Sequence, residues 1–580
     1  MSNHDTAGKI YIVIRNRLVP SSEAAVFQAP RSTAAVKVVR FRRSCDMVLP
    51  LQAAPLTQAL HQSRLAEDAM HNYDHDDKTM SPLLTRRKFL EGGAASVAAA
   101  ALLPHSAPAA AVPVPAGRII KLACIGVGAQ GTRVMMDFLK IPDVQVVAVC
   151  DVNRETSDYS EWGKDEIVNK ERKLLNDPSW GSDWKGPTCG RAPAARLVDA
   201  YYRNERKLPD YRACGSYNDF RDLIAREPEL DGVVVCPPDH WHAYIATYAL
   251  RHGKHVFSQK PMAHTVHECA LMAKVARETG LATQVAVMNE ASDATRHLSE
   301  WVAAGVIGQV REVHNWSQRP YWPQGMEAPK ESEPVPDGLD WNLWLGPAPE
   351  RPFNHVYLPF IWRGWNDFGE GSIGDMGNYS FDTLFRVLKL TAPTSVEGSS
   401  TPLFPDTFPL GEIVHWEFPA RGDRAPVTIH WYDAHLRPQR PAELEPGELM
   451  SDRGDGEGLL FVGDKGKILC SFEGQHARLI PSSRMKAFTP PPDDLPKSPG
   501  AYREWLNAIR GGPKPRANYE FEQNVVEAIL LGCIAVRMGT KLQWDAENKR
   551  IMGLAEGKPA DLEAANAQLN PPARAPFTLD

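Results

Sequence analysis

Gly126, Gly128 and Gly131 form a G-x-G-x-x-G run directly after the apolar stretch 119–125, and no other feature restricts the accessible folds so strongly. The apolar stretch reads as a buried parallel strand. Gly126 permits the tight turn out of it, Gly128 lets backbone approach a pyrophosphate, and Gly131 lets the next helix pack close to the strand. That helix, expected over about 131–140, turns its positive end and free N–H groups toward phosphate. Gln130 lies inside the same turn. Asp151 follows Gly131 by twenty residues, at the end of the apolar run 144–150, where adenosine ribose hydroxyls would sit. A carboxylate there repels a 2′-phosphate and favours NAD over NADP, a preference that the neighbouring Asn153 and Arg154 weaken.

Strand-like and helix-like segments keep alternating beyond this point. Residues 219–226 and 242–252 have helical spacing, and 232–236 and 254–258 are short apolar runs. Between Asp151 and this series lies an unusually long polar interruption, 152–215, with helical spacing at 194–203. The alternation predicts a doubly wound parallel α/β sheet, a Rossmann domain over 118–285. After about 285 the texture changes. A helix over 293–304 leads into segments that alternate as half-solvated strands do, at 310–316, 413–418, 427–432, 458–462 and 467–472. Helices are expected at 501–510 and 520–537. This predicts a second domain over 286–550 built on a mainly antiparallel sheet, then a tail over 551–580. No internal repeat is evident.

The 580 residues are 43% hydrophobic and 23% charged, ample material for two cores. The net charge of −6 and the lack of a long basic run argue against a nucleic-acid partner. Residues 85–90 read Thr-Arg-Arg-Lys-Phe-Leu, and a small apolar run over 92–103 follows until Pro104 stops it. The run is shorter than the ~20 residues needed to cross a bilayer. Ala107-Pro108-Ala109 and Ala109-Ala110-Ala111 are small-x-small cleavage sites. A buried Ala-rich helix or a retained anchor would also use such a run, but the order of parts favours a twin-arginine signal over 80–111. The expected partner is then the twin-arginine export machinery and the expected location periplasmic or otherwise exported. Such signals begin a chain, yet 79 residues precede Met80, so 1–79 reads as an extension ahead of the true start. Free nicotinamide cofactor is scarce outside the cytoplasm, so an exported dinucleotide protein must fold around its cofactor and keep it.

Nine cysteines occur without a CxxC metal pair. Cys124, Cys150 and Cys236 fall in or beside strands, where a small apolar residue suits a core. Cys189 and Cys214 bracket part of the interruption and are either a pair formed after export or two free thiols. His240 and His242 would share a face on a strand and invite a zinc reading, but no third clustered ligand stands out and no metal is expected. Asp239 before them is a candidate helix N-cap.

Three further segments carry a family resemblance: Pro237-Pro238-Asp239-His240-Trp241-His242, the run from Gly253 to Gln259-Lys260-Pro261, and Arg363-Gly364-Trp365 continuing to Gly374-Asp375-Met376-Gly377-Asn378-Tyr379-Ser380-Phe381-Asp382. Over roughly 118–550 the chain resembles the glucose–fructose oxidoreductase/inositol dehydrogenase/MocA (Gfo/Idh/MocA) family, especially its exported twin-arginine members. The resemblance implies a Rossmann domain joined to an α/β domain with an open, mainly antiparallel sheet, oxidation of a pyranoside or cyclitol by NAD(P), and self-association through that sheet, common among relatives. It places Pro238, His242 and Gln259 beside the cofactor. It implies that Lys260 is the active-site lysine, able to polarise a substrate hydroxyl and stabilise a developing alkoxide. The family's Glu is Gln259 here; an amide holds an ammonium less well, so easier deprotonation of Lys260 is expected. The family's Asp-x-x-x-His becomes Asp375 and Tyr379, four apart and on one helical face. Histidine suits general-base work near neutrality, whereas tyrosine, near pKa ~10, needs a nearby cation. Lys260 is the expected cation. Either a Lys–Tyr pair moves the proton or the site has lost this chemistry.

Tryptophan is dense over 316–365. At least half of these rings are expected in the core, and the rest can stack on sugar faces. Arg319, Tyr321, Trp322 and Asp382 are the expected substrate contacts, and His264 is a spare acid–base residue. The expected function is exported NAD-dependent oxidation of a sugar, glycoside or cyclitol hydroxyl. The rival readings are NAD-dependent glycoside hydrolysis or epimerisation by transient oxidation, known for exported relatives, and a carbohydrate-binding protein with a degenerate site.

Overall fold

The structure is a computed structural model that describes residues 11–14, 17–20, 113–209, 211–451 and 456–579. Contacts divide the chain into a unit over 1–103 and a unit over 104–580. In the first, Tyr11–Ile14 and Arg17–Pro20 pair as an antiparallel hairpin. The twin-arginine segment, its cleavage sites and Met80 lie outside the described residues. Among the described residues, no helix is long and apolar enough to cross a membrane.

The second unit contains two sheets. One has six parallel strands in the spatial order Gly215–Tyr217, Val144–Cys150, Ile120–Ile125, Gly232–Val235, His255–Gln259, Thr283–Ala286. Counted along the chain this is 3-2-1-4-5-6, the doubly wound order. Strand order reverses between Ile120–Ile125 and Gly232–Val235, so the crevice beyond their carboxyl ends is where such a sheet takes a ligand. Both faces are covered, which explains the near-continuous apolar runs: every residue of Gly232–Val235 and His255–Gln259 is buried. On one face Phe138, Phe257 and Trp505 pack edge to face, with ring centroids 5.3–5.8 Å apart.

The other sheet has nine strands, in the order Arg478–Ile480, Gly466–Cys470, Gly458–Gly463, Val310–Trp316, Val427–Tyr432, Glu412–Phe418, Ser395–Ser400, Lys541–Asp545, Arg550–Leu554. Its neighbours are antiparallel except Val310–Trp316 against Val427–Tyr432. Residues alternate between faces as the sequence pattern requires: Val427–Tyr432 is buried at every second position. The inner face packs on helices Gly371–Leu388 and Tyr519–Met538; Trp416 Nε1 donates to the Ala528 carbonyl at 2.7 Å and Asn315 Nδ2 to Ser380 Oγ at 2.6 Å.

Three expectations change. Residues 551–580 are no loose tail: Arg550–Leu554 closes the sheet, Pro559–Ala567 is a helix, and Phe577 packs edge-on to Trp241 with centroids 5.3 Å apart. Asp239 caps no helix, since it begins a short 3-10 turn and its Oδ2 is buried without a hydrogen-bond partner. The 152–215 interruption supplies the edge strand Gly215–Tyr217, two helices, and a segment over the glycine turn. Cys189 and Cys214 are free thiols; Cys189 is buried, and its backbone exchanges hydrogen bonds with Thr156 at 3.0 Å in both directions.

Candidate active site

The glycine turn is built as its sequence demands. Gly126 takes φ +80°, which disfavours side chains, and a Cβ there would run into the backbone of Cys236 and Pro237 on the neighbouring strand's exit. A Cβ on Gly131 would fall on the Gly126 carbonyl, so only glycine lets helix Ala129–Leu139 start this close to the strand. Asp151, at the end of Val144–Cys150, accepts from Val127 N and Asn153 N, both at 2.8 Å, and so braces the turn from its far side. Burial raises its carboxyl to about 6 despite these two donors.

A cleft of about 940 Å3 runs from this turn to the second sheet. Its walls include Gly126, Gly128, Gln130, Gly131, Asp151, Pro238, Gln259, Lys260, Arg319, Tyr321, Trp322, Asp375 and Tyr379. The glycine cradle, the unfilled N-terminal N–H groups of the helix and the acid at the second strand's end fit a dinucleotide. Two expected residues are elsewhere. His242 is 1% exposed and turned inward, its ring nitrogens 2.6 Å from Pro261 O and 3.0 Å from Pro237 O. It braces the loops that carry Pro238 and Lys260 and touches no cleft. Asp382 is fully buried and ion-paired with Arg386 at 2.6 Å; it keeps the side of the helix that carries Asp375 but lies two turns, roughly 10 Å, further along the axis, beyond the cleft. His264 is also outside the cleft, with Nε2 3.1 Å from Gly369 O. His240 has both ring nitrogens engaged, Nδ1 with Phe368 O and Nε2 with Trp344 O, which leaves neither for a metal, and burial pulls it down to about 3.

Lys260 directly follows strand His255–Gln259, and Asp375 lies in the second turn of helix Gly371–Leu388. Lys260 Nζ donates to Asp375 Oδ1 at 2.8 Å and to its carbonyl at 2.6 Å. Arg363 Nε donates to the same Oδ1 at 3.0 Å. Burial alone would raise the Asp375 carboxyl, but the two cations outweigh it and hold it at about 2. Burial alone would lower Lys260; the Asp375 carboxylate outweighs this and raises the ammonium above its ordinary value. The expectation that Gln259 makes Lys260 easier to deprotonate is therefore corrected, because the compensating carboxylate comes from Asp375 across the cleft. Lys260 Nζ sits 4.8 Å from the Tyr379 ring centroid, a cation–π distance.

Several cleft residues escaped the sequence reading. Arg363 was visible only as part of a motif; its guanidinium stacks between Trp362 and Phe360, at 4.3 and 4.5 Å from their centroids. Asp239 lines the cleft and burial keeps its carboxyl well above the usual range, only partly offset by Arg363 and Lys260. Glu457 holds Ser317 Oγ at 2.8 Å and lies 3.8 Å from Arg319 Nε, fixing the arginine whose guanidinium covers Tyr321 at 3.9 Å. Tyr159 packs on Gly128, where an added Cβ would meet its ring at 2.7 Å, and Trp162 meets Phe360 edge-on at 5.9 Å. Both come from the 152–215 interruption, whose helix Glu166–Leu175 is tied to the glycine helix by the paired Arg133–Glu166 bonds of 3.0 and 2.7 Å. No local pattern announces such cross-chain contacts.

Residues 188–287 match the model of an oxidoreductase family's NAD-binding Rossmann fold, and residues 295–408 match that family's C-terminal alpha/beta domain. An uncharacterized oxidoreductase of Rhizobium meliloti is 35% identical over 122 residues, 21% of this chain and 35% of that protein. A glycosyl hydrolase family 109 protein of Shewanella baltica is 26% identical over 161 residues, 28% of this chain and 27% of its own length. The chain thus spans about a third or less of the length of these curated relatives. The crystal structure of the WlbA dehydrogenase from Bordetella pertussis, in complex with NADH and UDP-GlcNAcA, superimposes with a TM-score of 0.48 and 15% identity, over 75% of this chain and 99% of that one. Residues 188–287 in the parallel-sheet domain and 295–408 in the mainly antiparallel-sheet domain are thus similar to the two domains of Gfo/Idh/MocA oxidoreductases.

Proposed function

We propose that this protein is an exported NAD-dependent oxidoreductase acting on a sugar, glycoside or cyclitol hydroxyl. The observation that carries the reading is the Lys260–Asp375–Arg363 cluster beside Tyr379, in one cleft with the glycine turn. When bound, a nicotinamide supplies a carbon that accepts hydride. Asp375, ionised and held from two sides, accepts a hydrogen bond from a substrate hydroxyl. The Lys260 ammonium stabilises the negative charge that grows on the reacting oxygen. Tyr379 is the group placed to take the hydroxyl proton, and Trp322, Trp362 and Tyr321 offer ring faces to the apolar side of a sugar. An acid at the end of the second strand, where the adenosine ribose hydroxyls of a dinucleotide would sit, supports NAD over NADP, and Asp151 is that acid.

Export rests on the twin-arginine segment over 80–111, and retention of the cofactor follows from it. Protein recovered from the periplasm should release NAD on denaturation in stoichiometric amount, identified by mass. Tyr379→Phe should retain that nucleotide and lose about 10²-fold in turnover on a responsive sugar. Periplasmic protein that neither contains nor captures a dinucleotide overturns the reading; bound NAD with no turnover on any sugar favours a degenerate binding protein. Similarity to a glycosyl hydrolase family 109 protein supports a second reading, redox-neutral glycoside cleavage, in which hydride returns to the same sugar. Released aglycone without net NADH or a second reduced sugar would distinguish it.

The segment carrying Tyr159 and Trp162 suits retention, because it bridges the glycine turn and the Phe360 loop. Trp162 itself is 65% exposed, so its removal should not disturb the core. An edge-to-face pair contributes ~0.5–1.5 kcal/mol, so Trp162→Ala should speed nucleotide release roughly 2- to 10-fold at unchanged melting temperature. Stopped-flow exchange against a fluorescent analogue measures this; an unchanged rate means the segment is no clasp.

A further inference from the structure

The outer face of the nine-stranded sheet carries a constellation that the proposed oxidation does not use. His430 is in direct register with His314 on one neighbouring strand and with His415 on the other. The alternate residues Asn315 and Trp416 bond to the helix layer, so the three histidines share the opposite face. The rings of His314 and His430 lie stacked, with centroids 4.8 Å apart. Glu312 stands two residues before His314, on the same face, with Oε2 3.7 Å from His314 Nε2.

We propose that Glu312, His314 and His430 form a binding site for a divalent transition-metal cation of the zinc type. One donor atom from each lies within 4.8 Å of the other two. Bonds of about 2.0–2.2 Å at tetrahedral angles put ligand atoms roughly 3.3 Å apart, so small rotations close the set and leave a fourth position for water. Metal-bound histidines characteristically hold their second ring nitrogen with an outer partner. Both rings are held that way here: His314 Nδ1 lies 3.1 Å from the Tyr432 hydroxyl and His430 Nδ1 lies 2.7 Å from His415 Nδ1. Each ring thereby keeps Nε2 for the cation. Lys467, two strands away, is already paired with Glu443 at 2.8 Å. A second group, His297, Glu300 and Asp493, is the weaker candidate, because the Arg296 guanidinium already pairs with its carboxylates.

The purified full chain, stripped with a chelator and dialysed against Zn²⁺, should bind one ion per chain by elemental analysis, and Co²⁺ should give visible bands of a site with nitrogen ligands. His314→Ala and His430→Ala should each abolish both signals. His415→Gln, which disturbs only the outer partner, should weaken binding about 10- to 100-fold. Glu312, with a side chain 51% exposed, can be changed to Gln without threatening the fold, and Glu312→Gln should also lose the ion. The proposal is overturned if the wild-type chain binds no Zn²⁺, or if Glu312→Gln and folded histidine variants bind it unchanged, which would send the ion to another site.

Discussion

Lys260→Ala should cut turnover by about 10²–10³-fold while leaving nucleotide bound, because among the described residues it removes the one ammonium that lines the cleft, without touching the glycine turn. The size follows from geometry. The ammonium is 8% exposed in its side chain and fixed by two bonds to Asp375, so its field acts in a dry site and needs no reorganisation during reaction. The same fixation creates a stability cost. Removing one partner of a buried ion pair typically costs 3–5 kcal/mol, but Arg363 remains on Asp375 Oδ1 and should reduce that loss. Turnover must therefore be normalised to bound nucleotide. The charge-preserving Lys260→Arg should fold well yet recover little activity, since a planar guanidinium cannot place the ammonium's point charge. Unchanged turnover in Lys260→Ala would remove the lysine from the chemistry and leave the ion pair a structural one.

Gly131→Ala should be the most damaging single-methyl change in the glycine turn. The added Cβ would fall on the Gly126 carbonyl oxygen and lie 2.9 Å from the carbonyl carbon, and both atoms are backbone of the turn itself. No side-chain rotation relieves this, so the helix must move off the sheet. Overpacking of this kind costs about 3 kcal/mol, which at ~2 cal/mol/K of unfolding entropy per residue lowers the melting temperature of a unit of this size by roughly 3 °C. Nucleotide content should fall with it, because the moved helix withdraws the N–H groups that would meet the pyrophosphate. Gly553→Ala, where a Cβ meets nothing within 4 Å, is the matched control and should change neither quantity. Equal nucleotide content in Gly131→Ala and the control would show that close packing is not what this glycine supplies.

Periodicity made the two-sheet architecture legible in advance. Buried parallel strands appear as unbroken apolar runs and half-solvated strands as alternation, so 144–150 and 427–432 declared their environments directly. The glycine turn, Asp151, Lys260 and the Asp375–Tyr379 spacing were visible because each is set by contacts within a few residues of chain or by one helical turn. His242 and Asp382 were misplaced for a related reason. Proximity to a motif says nothing about which way a side chain turns, and both turn into the protein.

What the chain determined by itself is the order of strands and helices and the turn that a dinucleotide needs, because local sterics and hydrophobic periodicity are properties of short segments. Only the tertiary structure decided the protonation of the site and the identity of its walls. Asp375 meets Lys260 and Arg363 across 115 and 12 residues of chain, Tyr159 reaches Gly128, and Glu457 reaches Arg319. Charge states in a buried cleft depend on distances between such groups and on the water excluded from them, and neither is encoded in any one segment.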